Sequence, residues 1–328
     1  MGLYFAIISI IFCILFSYII GPHINYIGNK FNIIDIPNLR KVHKKPIVRI
    51  GGLSIFITFY LYLLSTNLFI KYSYFDGDII KKFYVFLIGA CLFFLIGIHD
   101  DIFKSPPLIR LFFQFSVALF VSFNGINFSS IYFPIPFFGQ INLTLIPVVN
   151  YLFSAFWIVG ITNAINWIDG MDALAGGYCA ILSCGLFVLM FVQGNEIGMI
   201  FYSIFLGSII GFLIRNFNPA FYIMGDCGSN FLGFSLASSV LLFFSGSEYG
   251  YANISYIFLL FSLPICDMIL VISERLINNK NIFLPDKNHI HHKLMNLKLD
   301  YKYIIFLLFS YSSFTTIIAT FYLQKNNF

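Results

Sequence analysis

Ten apolar stretches, each close to the length of a membrane span, constrain this chain more than any other feature. They cover residues 3–21, 51–70, 83–98, 108–124, 145–162, 173–193, 197–214, 229–245, 251–273 and 303–323. A helix needs about 20 apolar residues to cross the hydrocarbon core. Only helices and closed barrels satisfy their own backbone there. Charged residues make up 10% of the chain, against about a quarter in soluble domains. These features predict an all-α polytopic integral membrane protein of about ten transmembrane helices.

No linker, long charge run or internal repeat divides the sequence, so residues 1–328 read as one domain. Lys30, Arg40 and Lys41 follow the first apolar run and no basic segment precedes it. That run reads as a retained span rather than a removed signal. Residues 125–144 mix Pro134, Pro136 and Gly139 with alternating apolar positions, which suits a short hairpin outside the bilayer. The six cysteines show no C-x-x-C pair or zinc spacing, so no disulfide framework is expected.

Ten spans sort the loops into two sets. One set holds fifteen Lys and Arg, the other Lys71, Lys81, Lys82 and Lys325. The positive-inside rule places the basic set in the cytoplasm and both termini outside. The same side collects Asp100, Asp101, Asp169, Asp172, Asp226 and the 289–292 histidines. A site at the cytoplasmic face follows.

Five motifs build that site. GIHDD (97–101) sets two adjacent carboxylates at a helix C-terminus, where negative charge is disfavoured, so a metal or basic loop must compensate them. NAINWIDGMDALAGG (163–177) spaces Asn163, Asn166, Asp169 and Asp172 by three. Asp169 and Asp172 fit the N-cap and N3 positions of the sixth span. On an unbroken helix Asn163 and Asp172 would face opposite ways, and a break at Gly170 would fold the four groups towards one point. NPAFYIMGDCGSNFLG (218–233) exposes Asp226 between glycines at a helix start, where backbone N–H groups suit an anion. DKNHIHHKL (286–294) gathers three of the six histidines between lysines. No cysteine or H-E-x-x-H partner supports zinc there, and phosphate binding fits better. DIPNLRKVHKKPIVRIGG (35–52) is a basic, proline-punctuated loop ending in a glycine pair.

For each motif a plainer reading exists: a helix cap, a solvated basic loop, or attraction to anionic headgroups. Together they describe metal-assisted phosphoryl chemistry, because Mg²⁺ is held by one or two carboxylates plus substrate phosphates.

The motifs D-x-P-N-x-R-K-x-H, the DD pair, NAINWIDGMDALAGG, NPAFYIMGDCGS and NHIHHKL occur in this order from Asp35 to Leu294. In this the chain resembles the polyprenyl-phosphate N-acetylhexosamine-1-phosphate transferases, glycosyltransferase family 4. The resemblance implies attack by undecaprenyl phosphate on a UDP-N-acetylhexosamine in a bacterial plasma membrane, with UMP as leaving group. It implies Mg²⁺ at Asp226, Asp169 and Asn166, and a role for Asp100, supported by Asp101, at the lipid phosphate. Asp172 and Asn163 would lie on the substrate side, with Lys44 or Lys45 towards the nucleotide. His289, His291 and His292 would lie near the phosphates or sugar. The bilayer is a partner, a homodimer is compatible with the family, and no nucleic acid is expected.

NHIHHKL resembles the WecA/TagO-like enzymes, whereas muramyl-pentapeptide enzymes carry three consecutive histidines. UDP-GlcNAc is therefore the preferred donor over other UDP-N-acetyl sugars or UDP-MurNAc-pentapeptide. The chain departs from the family at Ile223, where relatives carry Phe, and at Ser273-Glu274-Arg275, where many have paired arginines. The rival class is a secondary transporter, which would place polar groups at midplane on broken helices. Asp267, inside the ninth span, is the one residue that suits it or serves as a neighbour of the site.

Overall fold

The computed structural model describes residues 2–37, 45–65, 77–128, 131–135, 139–143, 145–244, 254–281 and 288–325. Every predicted span is helical within them. The helices are α1 (Gly2–Lys30), α2 (Gly52–Ser65), α3 (Gly77–Phe103), α4 (Pro107–Phe123), α5 (Pro147–Ile168), α6 (Leu174–Val192), α7 (Glu196–Asn216) and α8 (Gly225–Phe244). They continue with α9 (Ile254–Leu260), α10 (Ser262–Ile277), α11 (Ile290–Asn296) and α12 (Tyr301–Lys325). Seven of these are long and apolar enough to cross a membrane, and α2 and α4 are shorter apolar helices.

The predicted ninth span is a correction. It is two helices that break at Phe261, with Pro264 in the first turn of α10. Proline fits there because first-turn N–H groups lack helical acceptors. Pro107 and Pro147 start α4 and α5 on the same principle. Asn195 caps α7 by accepting from the Gly198 N–H at 2.8 Å.

The predicted hairpin is present. Strands β3 (Ile131–Ile135) and β4 (Gly139–Leu143) pair antiparallel, Ile131 opposite Leu143. A second, unpredicted pair joins β1 (Ile34–Asp35) to β2 (Ile47–Val48), Asp35 opposite Ile47.

Helix α8 lies at the centre, its apolar window 89% buried, with α7 next at 83%. Their environment is aromatic: Phe59 meets Phe201, Phe205 and Phe231 edge-on, and Phe93 stacks on Phe234 at 4.6 Å. Such pairs add about 0.5–1.5 kcal/mol beyond burial. Helix α1 packs against α7 where Gly207 and Gly211 admit its backbone. A Cβ there would stand 2.7 Å from Ile10 O and 2.4 Å from Ile14 O. Small residues four apart are the usual route to such closeness in a membrane, where no solvent drives helices together.

Candidate active site

The ends of α3 and α5 and the starts of α4 and α8 meet at one end of the bundle. The chain reaches α8 through Gly225, whose φ of +75° belongs to the left-handed region. A Cβ on Gly225 would also lie 1.9 Å from Arg49 O, so both backbone shape and space require glycine. On each side the backbone is tied to the segment after β2. Ile223 N–H donates to Val48 O, Gly51 N–H to Ile223 O, and Gly52 N–H to Met224 O, at 2.8–2.9 Å. Gly97 of α3 completes the close packing, since a Cβ there would meet Asp226 O at 2.3 Å.

Asp101, at the end of α3, caps α8 from outside it. Its two oxygens accept the N–H groups of Asp226 and Cys227, each at 2.9 Å. A carboxylate at the positive end of a helix is favourable. Arg49 Nε donates to the same carboxylate at 2.8 Å and its Nη2 to Asp226 at 2.6 Å, with Asp35 at 4.0 Å. Burial disfavours the guanidinium's charge, yet Asp226, Asp101 and Asp35 together hold its pKa above the usual arginine range. Asp100 takes the other cation, accepting from Arg110 Nη1 at 2.6 Å. The GIHDD acids are thus compensated by two arginines.

Asp226 also accepts from Asn166 Nδ2 at 2.7 Å, and the same amide reaches Ser229 Oγ at 2.8 Å. Asp169 follows as the C-cap residue of α5. Burial, and then the charge of Asp226, pushes its carboxyl up to about 8. This corrects the expected N-cap: α5 runs unbroken to Ile168, and the N-cap of α6 is Ala173 at φ 60°.

The break at Gly170 is real, but the four residues do not meet at one point. Asn163 stays at its helical phase and donates to Gln114 Oε1 at 2.8 Å, while Gln114 reaches Asn230 at 3.4 Å. Asp172 lies beyond the break, accepting from Asn218 Nδ2 at 2.9 Å and the Ala220 N–H at 3.3 Å. Its carbonyl accepts from the Tyr301 hydroxyl.

The histidines close the other side. His289 Nδ1 pairs with Asp267 at 2.7 Å, and the Ile290 N–H donates to the second oxygen of Asp267 at 2.6 Å. His291 is buried, with Nε2 lacking a hydrogen-bond partner, and packs where a Gly170 side chain would be. Burial, then the charges of His292 and His289, lowers its pKa to about 3. His292 lies 4.3 Å from His291, ring to ring. Lys44 lies outside the described residues, and Lys45 is exposed.

Beside the acids opens a cavity of about 700 Å³ between α4, α5 and α10. Leu111, Phe112, Phe115, Phe156, Val159, Met268 and Ile272 make its apolar walls, and Arg110, Asn163, Asn166, Trp167, Arg275 and His289 its polar end. Arg275 is buried and sits 5.2 Å above the Trp167 ring.

Sequence reasoning counted Arg49 and Arg110 only as inside-loop charge and noted Arg275 only where the chain departs from the family's paired arginines. The available signal was the residue type: the chain has just five arginines, and guanidinium forks suit paired carboxylates as lysine does not.

The acid cluster suits a hard cation. Its donors are carboxylates and an amide, and Asp100 Oδ1 is buried without a hydrogen-bond partner among the described residues. Among the described residues no three His, Cys, Asp or Glu form a ready-made metal group. Mg²⁺ does not need one, since it completes its shell with water and phosphate.

The family model described as "Glycosyl transferase family 4" matches residues 83–244, from α3 through α8. A Bacillus subtilis relative is similar, at 32% identity over 97% of this chain and 87% of its own length. It is named "Probable undecaprenyl-phosphate N-acetylglucosaminyl 1-phosphate transferase". A Thermotoga maritima "Undecaprenyl-phosphate alpha-N-acetylglucosaminyl 1-phosphate transferase" is 28% identical over 84% of this chain and 77% of its own. A Mycobacterium leprae "Decaprenyl-phosphate N-acetylglucosaminephosphotransferase" is 27% identical over 87% and 76%. With relatives alike along nearly its whole length and the model spanning the helices that carry the acids, the chain belongs to glycosyl transferase family 4.

Proposed function

We propose that this protein transfers GlcNAc-1-phosphate from UDP-GlcNAc to a polyprenyl phosphate, undecaprenyl phosphate in a bacterial plasma membrane. A terminal oxygen of the lipid phosphate bonds to the sugar-bearing phosphorus. The bond from that phosphorus to UMP breaks, and a polyprenyl-diphosphate-linked sugar remains to start a cell-envelope glycan.

The observation that carries this reading is the junction between the acid cluster and the apolar groove. Asn166 bonds Asp226 and lines the groove, and Arg110 bonds Asp100 and lines it too. A long apolar acceptor with a charged end needs such a groove, and a diphosphate donor needs the acids with a cation. The names of the relatives supply the GlcNAc donor.

Asp226, Asp169, Asn166 and the open oxygen of Asp100 would hold Mg²⁺. Bound there, the ion would neutralise diphosphate charge and favour departure of UMP. Arg110, Arg275 and His289 hold the acceptor phosphate at the mouth of the groove. Asp101 and Arg49 keep Asp226 in place and touch no substrate. Asp172 holds the 218–220 turn on the nucleotide side. The positive-inside count supports the cytoplasmic face for all of this, with both termini outside.

The test is UMP release by protein in nanodiscs given polyprenyl phosphate, UDP-GlcNAc and Mg²⁺. Turnover should vanish on chelation and fall at least about 1,000-fold in Asp226→Asn at unchanged protein level. Folded protein giving no UMP with any UDP-N-acetylhexosamine would defeat the proposal.

A further inference from the structure

Asp267 is 1% exposed, sits within α10, and spends both oxygens on the start of the histidine motif. As a carboxylate Asp267 would accept at both oxygens, which would put the proton of the pair on His289 Nδ1. Nε2 is then the ring nitrogen left for the groove that His289 lines. The ring is held from other directions as well. Trp167 meets it edge-on at 5.9 Å, and His291 stacks parallel at 5.7 Å. Trp167 in turn lies under Arg275. Carboxylate, imidazole, indole and guanidinium therefore form one packed wall at the polar end of the cavity.

We propose that Asp267 is a positioning residue of the active site, fixing His289 in its Nδ1–H form with Nε2 turned to the acceptor phosphate. This rests on the reading of the groove as the acceptor site. In that form Nε2 offers a lone pair, which bonds a P–OH and not a bare phosphate oxygen. The histidine thereby sorts the terminal oxygens of the acceptor, engaging the protonated one and leaving a deprotonated one for attack. No proton changes hands in this step. The same carboxylate anchors the Ile290 N–H, so orientation of the ring and placement of α11 come from one group.

The experiment uses full-length protein in nanodiscs with ¹⁵N-labelled histidine, His289 being assigned by difference from His289→Gln. Wild type should show Nδ1 protonated. In Asp267→Asn the amide donates to Nδ1, and His289 should change to the Nε2–H form. UMP release by Asp267→Asn should fall about 100-fold in kcat, with KM for the UDP-sugar within about twofold. In a His289→Ala background the same substitution should change kcat less than about threefold, because both act through one group.

A wild-type His289 protonated at Nε2 overturns the proposal without any variant. So does an Asp267→Asn enzyme with wild-type kcat, or losses that multiply in the double variant. A wild type that releases no UMP refutes the functional reading instead, and the tautomer measurement still decides what Asp267 does.

Discussion

Arg49 bridges two carboxylates that come from different helices. One nitrogen serves Asp101 and another serves Asp226, a division the guanidinium fork permits and a single ammonium does not. Arg49→Lys should therefore keep charge but lose one partner. We expect a loss of roughly 3 kcal/mol, in the range for breaking a half-buried pair, read as a lower thermal midpoint in detergent. Arg110→Lys, at a residue that bonds Asp100 through one nitrogen, should cost clearly less.

His291 gives a residue-scale pH prediction. Its folded pKa of about 3 lies below the unfolded value of about 6.5. Between these values the unfolded chain binds more protons, so stability rises with pH across that window. The thermal midpoint should be level above about pH 6.5 and fall steadily towards pH 4. His291→Gln should flatten that slope, and a slope unchanged in the variant would assign the effect to another group.

At the scale of elements, α8 depends on a cap supplied by α3. Asp101→Ala removes both acceptors at once, and cap losses run to about 2 kcal/mol. Hydrogen exchange at the amides of Asp226 and Cys227 should speed up at least tenfold, while amides in the middle of α8 stay protected. Gly225→Ala should unfold the site more severely, because the left-handed turn and the contact with Arg49 O both exclude a side chain. The comparison is made by activity and by elution as a single species.

Elements also show what was legible in the chain. Apolar length located the helices, seven of them long enough to cross a membrane, since burial in lipid demands such runs. The ninth span failed as a unit because hydropathy cannot sense a helix break inside an apolar stretch, even with Pro264 present. Asp169 looked like an N-cap because local spacing allowed it. The actual cap of α8 comes from Asp101, 125 residues earlier in sequence than Asp226, and a contact across that separation leaves no local pattern. The histidines were legible as a cluster, but the partner of His289 was visible only as an isolated acid in a span.

For the whole molecule, the positive-inside count predicts the orientation. Single cysteines at 298 and at 81, in a variant lacking native cysteines, should label from opposite sides of the membrane. Position 298 should be blocked in intact cells, and its labelling from outside would reverse the assignment. The α1–α7 contact offers a second test: Gly211→Leu should separate the two helices, because no space exists beside Ile14 O. A fall in thermal midpoint of several degrees is expected, with KM unchanged for surviving protein.

The tie between the 47–52 segment and residues 223–227 has a consequence for biogenesis. Arg49 and Asp226 are separated by 177 residues, Asp101 and Cys227 by 126. At roughly 5–20 residues per second, Asp101 emerges on the order of 10 s before the amides it will cap. Through that interval α3 ends in adjacent acids and the loop before α2 carries an arginine, both held at the water-facing surface by their own charge. Asp100 can meet Arg110 and Asp101 can meet Arg49 before then, but Asp226 and the N–H groups that Asp101 caps arrive only with α8. A nascent chain interrupted before residue 226 thus has a membrane-inserted body and no acid cluster, so the insertion of α8 is the step that assembles it, with α10 and the histidines still to follow.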